Sequence, residues 1–275
     1  MTIDGAGPLS LAFSPCPNDT FVFYAWTHGL IPGAPEVRVT YADVDVTNTA
    51  AERGEFDVVK VSYAALPWLL DDYALLPSGG ALGRGCGPLV LTRDPLPSLD
   101  GRTIAVPSER STAYLLFRLW AAGQRPDAID VVPFASIMPA VRDGRYDAGL
   151  VIHEARFTYP DYGLHALVDL GAWWERDTGL PIPLGAIIAR RGLDLPALAA
   201  AARASVEAAW SNPSASADYV AAHAAEMSPE VQQQHIALYV NEFTRDLGDE
   251  GYAAAEVLLK RAYRAGLTPK TRRLR

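Results

Sequence analysis

Lys60, Ser62 and His153 close two stretches that are variants of one pattern. Gly54-Glu55-Phe56-Asp57-Val58-Val59-Lys60-Val61-Ser62-Tyr63 aligns without gaps on Gly144-Arg145-Tyr146-Asp147-Ala148-Gly149-Leu150-Val151-Ile152-His153, 90 residues later. Each copy has Gly, an aromatic, Asp and then a short apolar run that reads as a buried strand. Lys60, Val61 and Ser62 end one strand and offer an ammonium and a hydroxyl to an anion. Ile152, His153 and Glu154 end the other. The remaining histidines, His28, His165, His223 and His235, fall in surface-like contexts or on expected helices. The apolar approach to His153 predicts an imidazole that is neutral near pH 7 and able to act as a general base. The plainer reading is a satisfied structural histidine. Glu154 points away from its neighbour on an extended strand and is a poor candidate to orient the ring.

These strand ends need partners, and two helix starts supply candidates. Leu9–Phe13 reads as a strand leading into Asn18-Asp19-Thr20; Thr103–Val106 reads as its counterpart leading into Ser111-Thr112-Ala113. Free backbone N–H groups and the helix dipole make such starts good sites for a carboxylate. Asn18, Thr20, Ser111, Thr112 and Ala113 are therefore candidate ligand contacts, with simple capping as the alternative. Asp19, being negative, is expected to cap or orient.

Two similar α/β units imply two lobes around a cleft, where function should sit. A strand at 37–41, a helix at 48–53 and a strand at 57–62 complete the first unit. The glycine-dense run 78–88 is read as a tight crossing between lobes or a ligand-facing loop. A strand at 89–93 carries the chain into the second unit, and 186–190 returns it. The expected division is 1–93 plus 187–275 for lobe 1 and 94–186 for lobe 2. Helices are expected at 195–210, 214–227, 229–240 and 251–265, packed on lobe 1.

The chain has 275 residues, 49% of them hydrophobic and 20% charged, as in an ordinary globular protein. A net charge of −8 and the lack of basic-aromatic runs argue against nucleic acid as a partner. No secretory leader and no stretch of about 18 apolar residues is read, so a cytoplasmic protein off the membrane is expected. The two cysteines, Cys16 and Cys86, make no disulfide scaffold. No Cys/His spacing points to a metal. Trp173-Trp174 reads as packing.

The run Ser14-Pro15-Cys16-Pro17-Asn18-Asp19-Thr20-Phe21 resembles the signature of the 1,4-dihydroxy-6-naphthoate synthase family of the futalosine route to menaquinone. Lys60-Val61-Ser62-Tyr63, the glycine run 78–88, Ile152-His153-Glu154 and Gly179-Leu180-Pro181-Ile182-Pro183-Leu184-Gly185 continue the resemblance. It implies a class II periplasmic-binding-protein-like clamshell with a helical C-terminal tail, used as an enzyme. It also implies conversion of cyclic dehypoxanthinyl futalosine to 1,4-dihydroxy-6-naphthoate with loss of a sugar-derived fragment. His153 matches the family's base, and Lys60–Ser62 and Thr112-Ala113 match its substrate contacts. Ser111 stands where Thr is expected. The implied substrate is a small carboxylate, and neither metal nor redox cofactor is required. The rivals are a chorismate dehydratase-like enzyme of the same pathway and a non-catalytic solute-binding protein.

Overall fold

The structure is a computed structural model that describes residues 7–224 and 228–275. The chain opens on β1 (Leu9–Phe13), turns into α1 (Pro17–Thr27) and returns as β2 (Val37–Tyr41), parallel to β1. α2 (Val44–Glu52) leads to β3 (Val58–Ser62), parallel to β1 on its other side. The short α3 (Leu66–Leu69), β4 (Tyr73–Leu75) and β5 (Ala81–Gly83) follow. The second unit repeats the plan with β6 (Leu89–Thr92), β7 (Thr103–Val106), α4 (Thr112–Trp120), β8 (Ala128–Val131), α5 (Phe134–Arg142) and β9 (Ala148–Val151). It closes with α6 (Ala155–Thr158), β10 (His165–Asp169) and α7 (Leu170–Thr178). β11 (Ile182–Arg190) returns to the first sheet. The tail is α8 (Leu195–Ser211), α9 (Ala217–His223), α10 (Pro229–Tyr239), α11 (Glu242–Arg245) and α12 (Gly248–Arg264).

The two sheets have one topology. The first runs β2-β1-β3-β11-β4, with β5 also on β11, and the second runs β8-β7-β9-β6-β10. In each, three parallel strands are followed by an antiparallel strand from the crossing segment, β11 beside β3 and β6 beside β9. The repeated Gly and Asp explain the likeness. Gly54 and Gly144 end their helices at φ of 66° and 73°, a conformation in which a side chain is strained. Asp57 then accepts from the backbone N–H of Ser10 at 2.8 Å and its hydroxyl at 2.7 Å. Asp147 accepts from the same two groups of Thr103 at 2.9 and 3.1 Å.

Sheet membership places the chain's changes of sheet within 84–88 and 170–181, whereas the expected division fell at 93/94 and 186/187. Leu89-Val90-Leu91 already pairs with β9, and Ile182 already pairs with Gly83. An apolar run shows burial but not which sheet receives it. α2 begins at Val44, four residues before the expected start. In place of a helix at 214–227 stand a 3-10 turn and α9; positions 225–227 lie outside the described residues.

The crossing is tight. A Cβ on Gly87 would stand 2.1 Å from the backbone nitrogen of Gly171, so two backbones touch where only glycine fits. The lobes also share core: Val59, Val61 and Ile188 of the first sheet cluster with Ile104, Val106 and Leu150 of the second. α8, α9 and α10 pack on α1, as expected, whereas α12 lies against both β11 and α4. Among the described residues no helix is long and apolar enough to cross a membrane.

Candidate functional site

A cavity of about 100 Å³ lies where the ends of β3 and β9 meet the starts of α1 and α4. Strand alternation decides what β3 contributes: Lys60 and Ser62 line the cavity, while Val61 is fully buried in the shared core. Val61, expected among the contacts, is thus a packing residue. Lys60 runs past Gly185, where a Cβ would stand 2.8 Å from its Cε.

Lys60 is not the free ammonium expected from the sequence. Its Nζ donates to Oδ1 of Asp19, and the pair is almost wholly buried. Asn18 Nδ2 also donates to Oδ1 at 2.7 Å, and Ser14 Oγ donates to Oδ2 at 2.7 Å. Isolated burial of either charge would be prohibitive, so the fold brings them in together. On the far side, Asn48 accepts from Ser62 N at 2.8 Å and donates to Ser62 Oγ at 3.2 Å and to the Arg110 carbonyl at 3.3 Å. The Ser62 hydroxyl keeps its own proton for a ligand.

The helix starts are more occupied than expected. Ser111 Oγ accepts from Tyr114 N at 3.1 Å and donates to the Ser108 carbonyl at 3.3 Å. Thr112 Oγ1 donates to the Leu184 carbonyl at 2.8 Å and accepts from Ala64 N at 3.2 Å, tying α4 to the first sheet. Ser111, Thr112 and Ala113 line the cavity, yet both hydroxyls already serve the fold. Asn18 lines it too. Thr20 does not: it is fully buried, and its hydroxyl donates back to the Cys16 and Pro17 carbonyls. It back-bonds to the first turn of its own helix and does not face the ligand.

His153 lies just beyond β9 with φ 54°, the one positive-φ residue other than glycine among the described residues. Such a conformation persists only where surroundings impose it, and it collects at functional sites. The ring lines the cavity, edge-on to Phe134 with centroids 5.8 Å apart. Its Nδ1 lies 3.6 Å from the Cys16 sulfur. Among the described residues Nε2 has no such partner, and it remains for a ligand. The expectation of an imidazole neutral near pH 7 is corrected here. Burial pulls its pKa down, but the charge and hydrogen bond of Cys16, then Glu154 and Asp43, outweigh burial and raise it to about 9.

Three residues that sequence reasoning missed complete the site, one behind the His153 ring and two in the cavity wall. Cys16 is the ring's partner, 137 residues away in sequence. His235, set aside as a helix residue, is 1% exposed and lines the cavity with its ring 6.3 Å from that of His153. Burial, then His153 and Lys60, push its pKa down to about 3. Tyr239, one helical turn on, lines the cavity as well. The Cys16 sulfur and ring nitrogens of His153 and His235 lie within 4.8 Å of one another, a three-ligand grouping that no local spacing announces. Cys86 also lines the cavity, but burial pushes its thiol up to about 12, which leaves it unreactive.

The arrangement can bind a small polar ligand between two lobes and exchange a proton with it. Comparison with known proteins gives the family and the fold. Residues 9–264 match a family model described as menaquinone biosynthesis. The chain is 67% identical over 270 residues to a 1,4-dihydroxy-6-naphthoate synthase of Streptomyces coelicolor, covering 96% of each. It is 49% identical over 262 residues to one of Thermus thermophilus, covering 94% of this chain and 95% of the relative. A solved protein of Archaeoglobus fulgidus superposes with a TM-score of 0.88 at 35% identity, over 94% of this chain and 98% of that one. The periplasmic aliphatic sulphonate binding protein of Escherichia coli superposes with a TM-score of 0.67 at 16% identity, over 98% and 91%. The fold is that of the periplasmic binding proteins, and the chain belongs to the menaquinone-biosynthesis family, with 1,4-dihydroxy-6-naphthoate synthases as its relatives.

Proposed function

We propose that this chain is a carbon–carbon lyase that converts cyclic dehypoxanthinyl futalosine to 1,4-dihydroxy-6-naphthoate in the cytoplasm, without metal or redox cofactor. The observation that carries the reading is His153, strained at the cavity wall with one ring nitrogen against Cys16 and the other uncommitted. The names of the relatives support the product, 1,4-dihydroxy-6-naphthoate. In this reading the substrate carboxylate meets the remaining Lys60 protons, the Ser62 hydroxyl and the starts of α1 and α4. The neutral form of His153 takes a proton from a sugar hydroxyl. The alkoxide collapses to a carbonyl as the carbon–carbon bond to the ring breaks in a retro-aldol sense, and aromatisation drives the step. A positioned base contributes about 10²–10⁴-fold. Orientation and exclusion of water on lobe closure supply much of the rest.

The test is to incubate the purified protein with cyclic dehypoxanthinyl futalosine and separate the products. Formation of 1,4-dihydroxy-6-naphthoate is expected. Recovery of bound but intact ligand would favour a solute-binding protein, and consumption of chorismate instead would favour the sister dehydratase.

A further inference from the structure

The wall of the cavity holds two nitrogens without a partner among the described residues. His235 is 1% exposed, and neither its Nδ1 nor its Nε2 has a hydrogen-bond partner there. Buried polar groups are paired as a rule, and an orphan in a ligand cavity marks a bond that the ligand completes. The position is built: α10 is capped by Ser228, whose hydroxyl accepts from Val231 N at 3.3 Å, with Pro229 at its first turn. The His235 ring packs on Tyr239 at 4.6 Å and lies nearly parallel to His153, 21° between planes.

The unmet bonds define the ligand group. An uncharged imidazole carries one N–H and one lone pair, so it needs an acceptor and a donor. A carboxylate offers only acceptors, whereas hydroxyls offer both. Burial and the neighbouring His153 and Lys60 keep His235 uncharged, so it does not compete with His153 for the proton. We infer that His235 is a substrate-binding residue, and that its ring nitrogens hydrogen-bond the hydroxyl-bearing, sugar-derived part of the ligand beside His153. The inference rests on the function proposed above and assigns the tail helix α10 a direct part in the site.

The experiment compares His235→Phe and His235→Asn with wild type, using cyclic dehypoxanthinyl futalosine for kinetics and thermal melting for stability. Phe keeps the ring's bulk and removes both unpaired nitrogens, so the melting temperature should hold or rise while kcat/KM falls about 10–100-fold, the worth of lost hydrogen bonds to the ligand. Asn carries a donor and an acceptor and should restore part of that loss. A Phe variant within twofold of wild type would overturn the inference. So would a loss that follows a lowered melting temperature and that Asn does not relieve. If the wild type itself released no naphthoate, the function reading would fail and this inference with it.

Discussion

Asp57 and Asp147 do the same work in the two lobes, whereas the residues that follow them in β3 and β9 do not. Each aspartate clamps the first strand of its unit through a backbone N–H and a hydroxyl, Ser10 in one and Thr103 in the other. Each repeat glycine sits under an arginine from the crossing side: a Cβ on Gly54 would meet Arg190 at 3.2 Å, and one on Gly144 would meet Arg93 at 2.8 Å. Past the aspartates the copies part. β3 keeps strand geometry to Ser62 and aims a neutralised ion pair at the cavity. β9 stops at Val151, and His153 turns into a strained conformation against Cys16. The duplicated part frames the cavity, and the divergent ends give its two walls different chemistry.

The two walls should differ most at the imidazole. His153→Ala should cut naphthoate formation by about 10²–10⁴-fold while leaving substrate binding measurable by calorimetry, because a base is lost and the frame is not. On the opposite wall, Lys60→Met leaves Asp19 buried without its cation and should cost about 3–5 kcal/mol in denaturant unfolding. Adding Asp19→Leu should restore much of that stability, though not activity. Asp57→Ala and Asp147→Ala should each cost about 1–3 kcal/mol, and by similar amounts, since each removes charge-assisted bonds to matched partners. A large difference between them would mean the two clamps are not equivalent. The smallest effect is on stability against pH. A His153 pKa raised from 6.5 to about 9 contributes stability that is present below 6.5 and lost as pH rises through about 9. Melting temperatures over that window should therefore decline, and the decline should shrink in His153→Ala.

Much of this frame was legible in the sequence because a repeat, once seen, dictates matched strands, helix starts and a cleft. β1, β2 and β7 fall where alternation and branching put them, and His153 stands at the cavity as its strand-end position implied. Val61 and Thr20 were misplaced because strand alternation and back-bonding turn them away from the ligand side. Lys60 looked like a free cation because its partner, Asp19, is 41 residues away and was read only as a cap. His235 and Cys16 were missed for one reason: their nearness to His153 exists only after the tail folds back on α1 and α1 faces the second lobe. Local pattern carries elements, but the charge state of a site depends on groups distant in sequence, and His153 gained its proton affinity that way.

In the proposed reaction the His153 ring exchanges a proton with substrate, and its neighbours set where it titrates. The direct measurement is kcat/KM against pH, over about pH 6–10, for wild type and for Cys16→Ala. In wild type the rate should climb as the ring loses its proton near pH 9. Removing the Cys16 sulfur, the chief group that raises this pKa, should move the climb to lower pH. A rate indifferent to pH across that range, or a climb that Cys16→Ala leaves in place, would contradict the account.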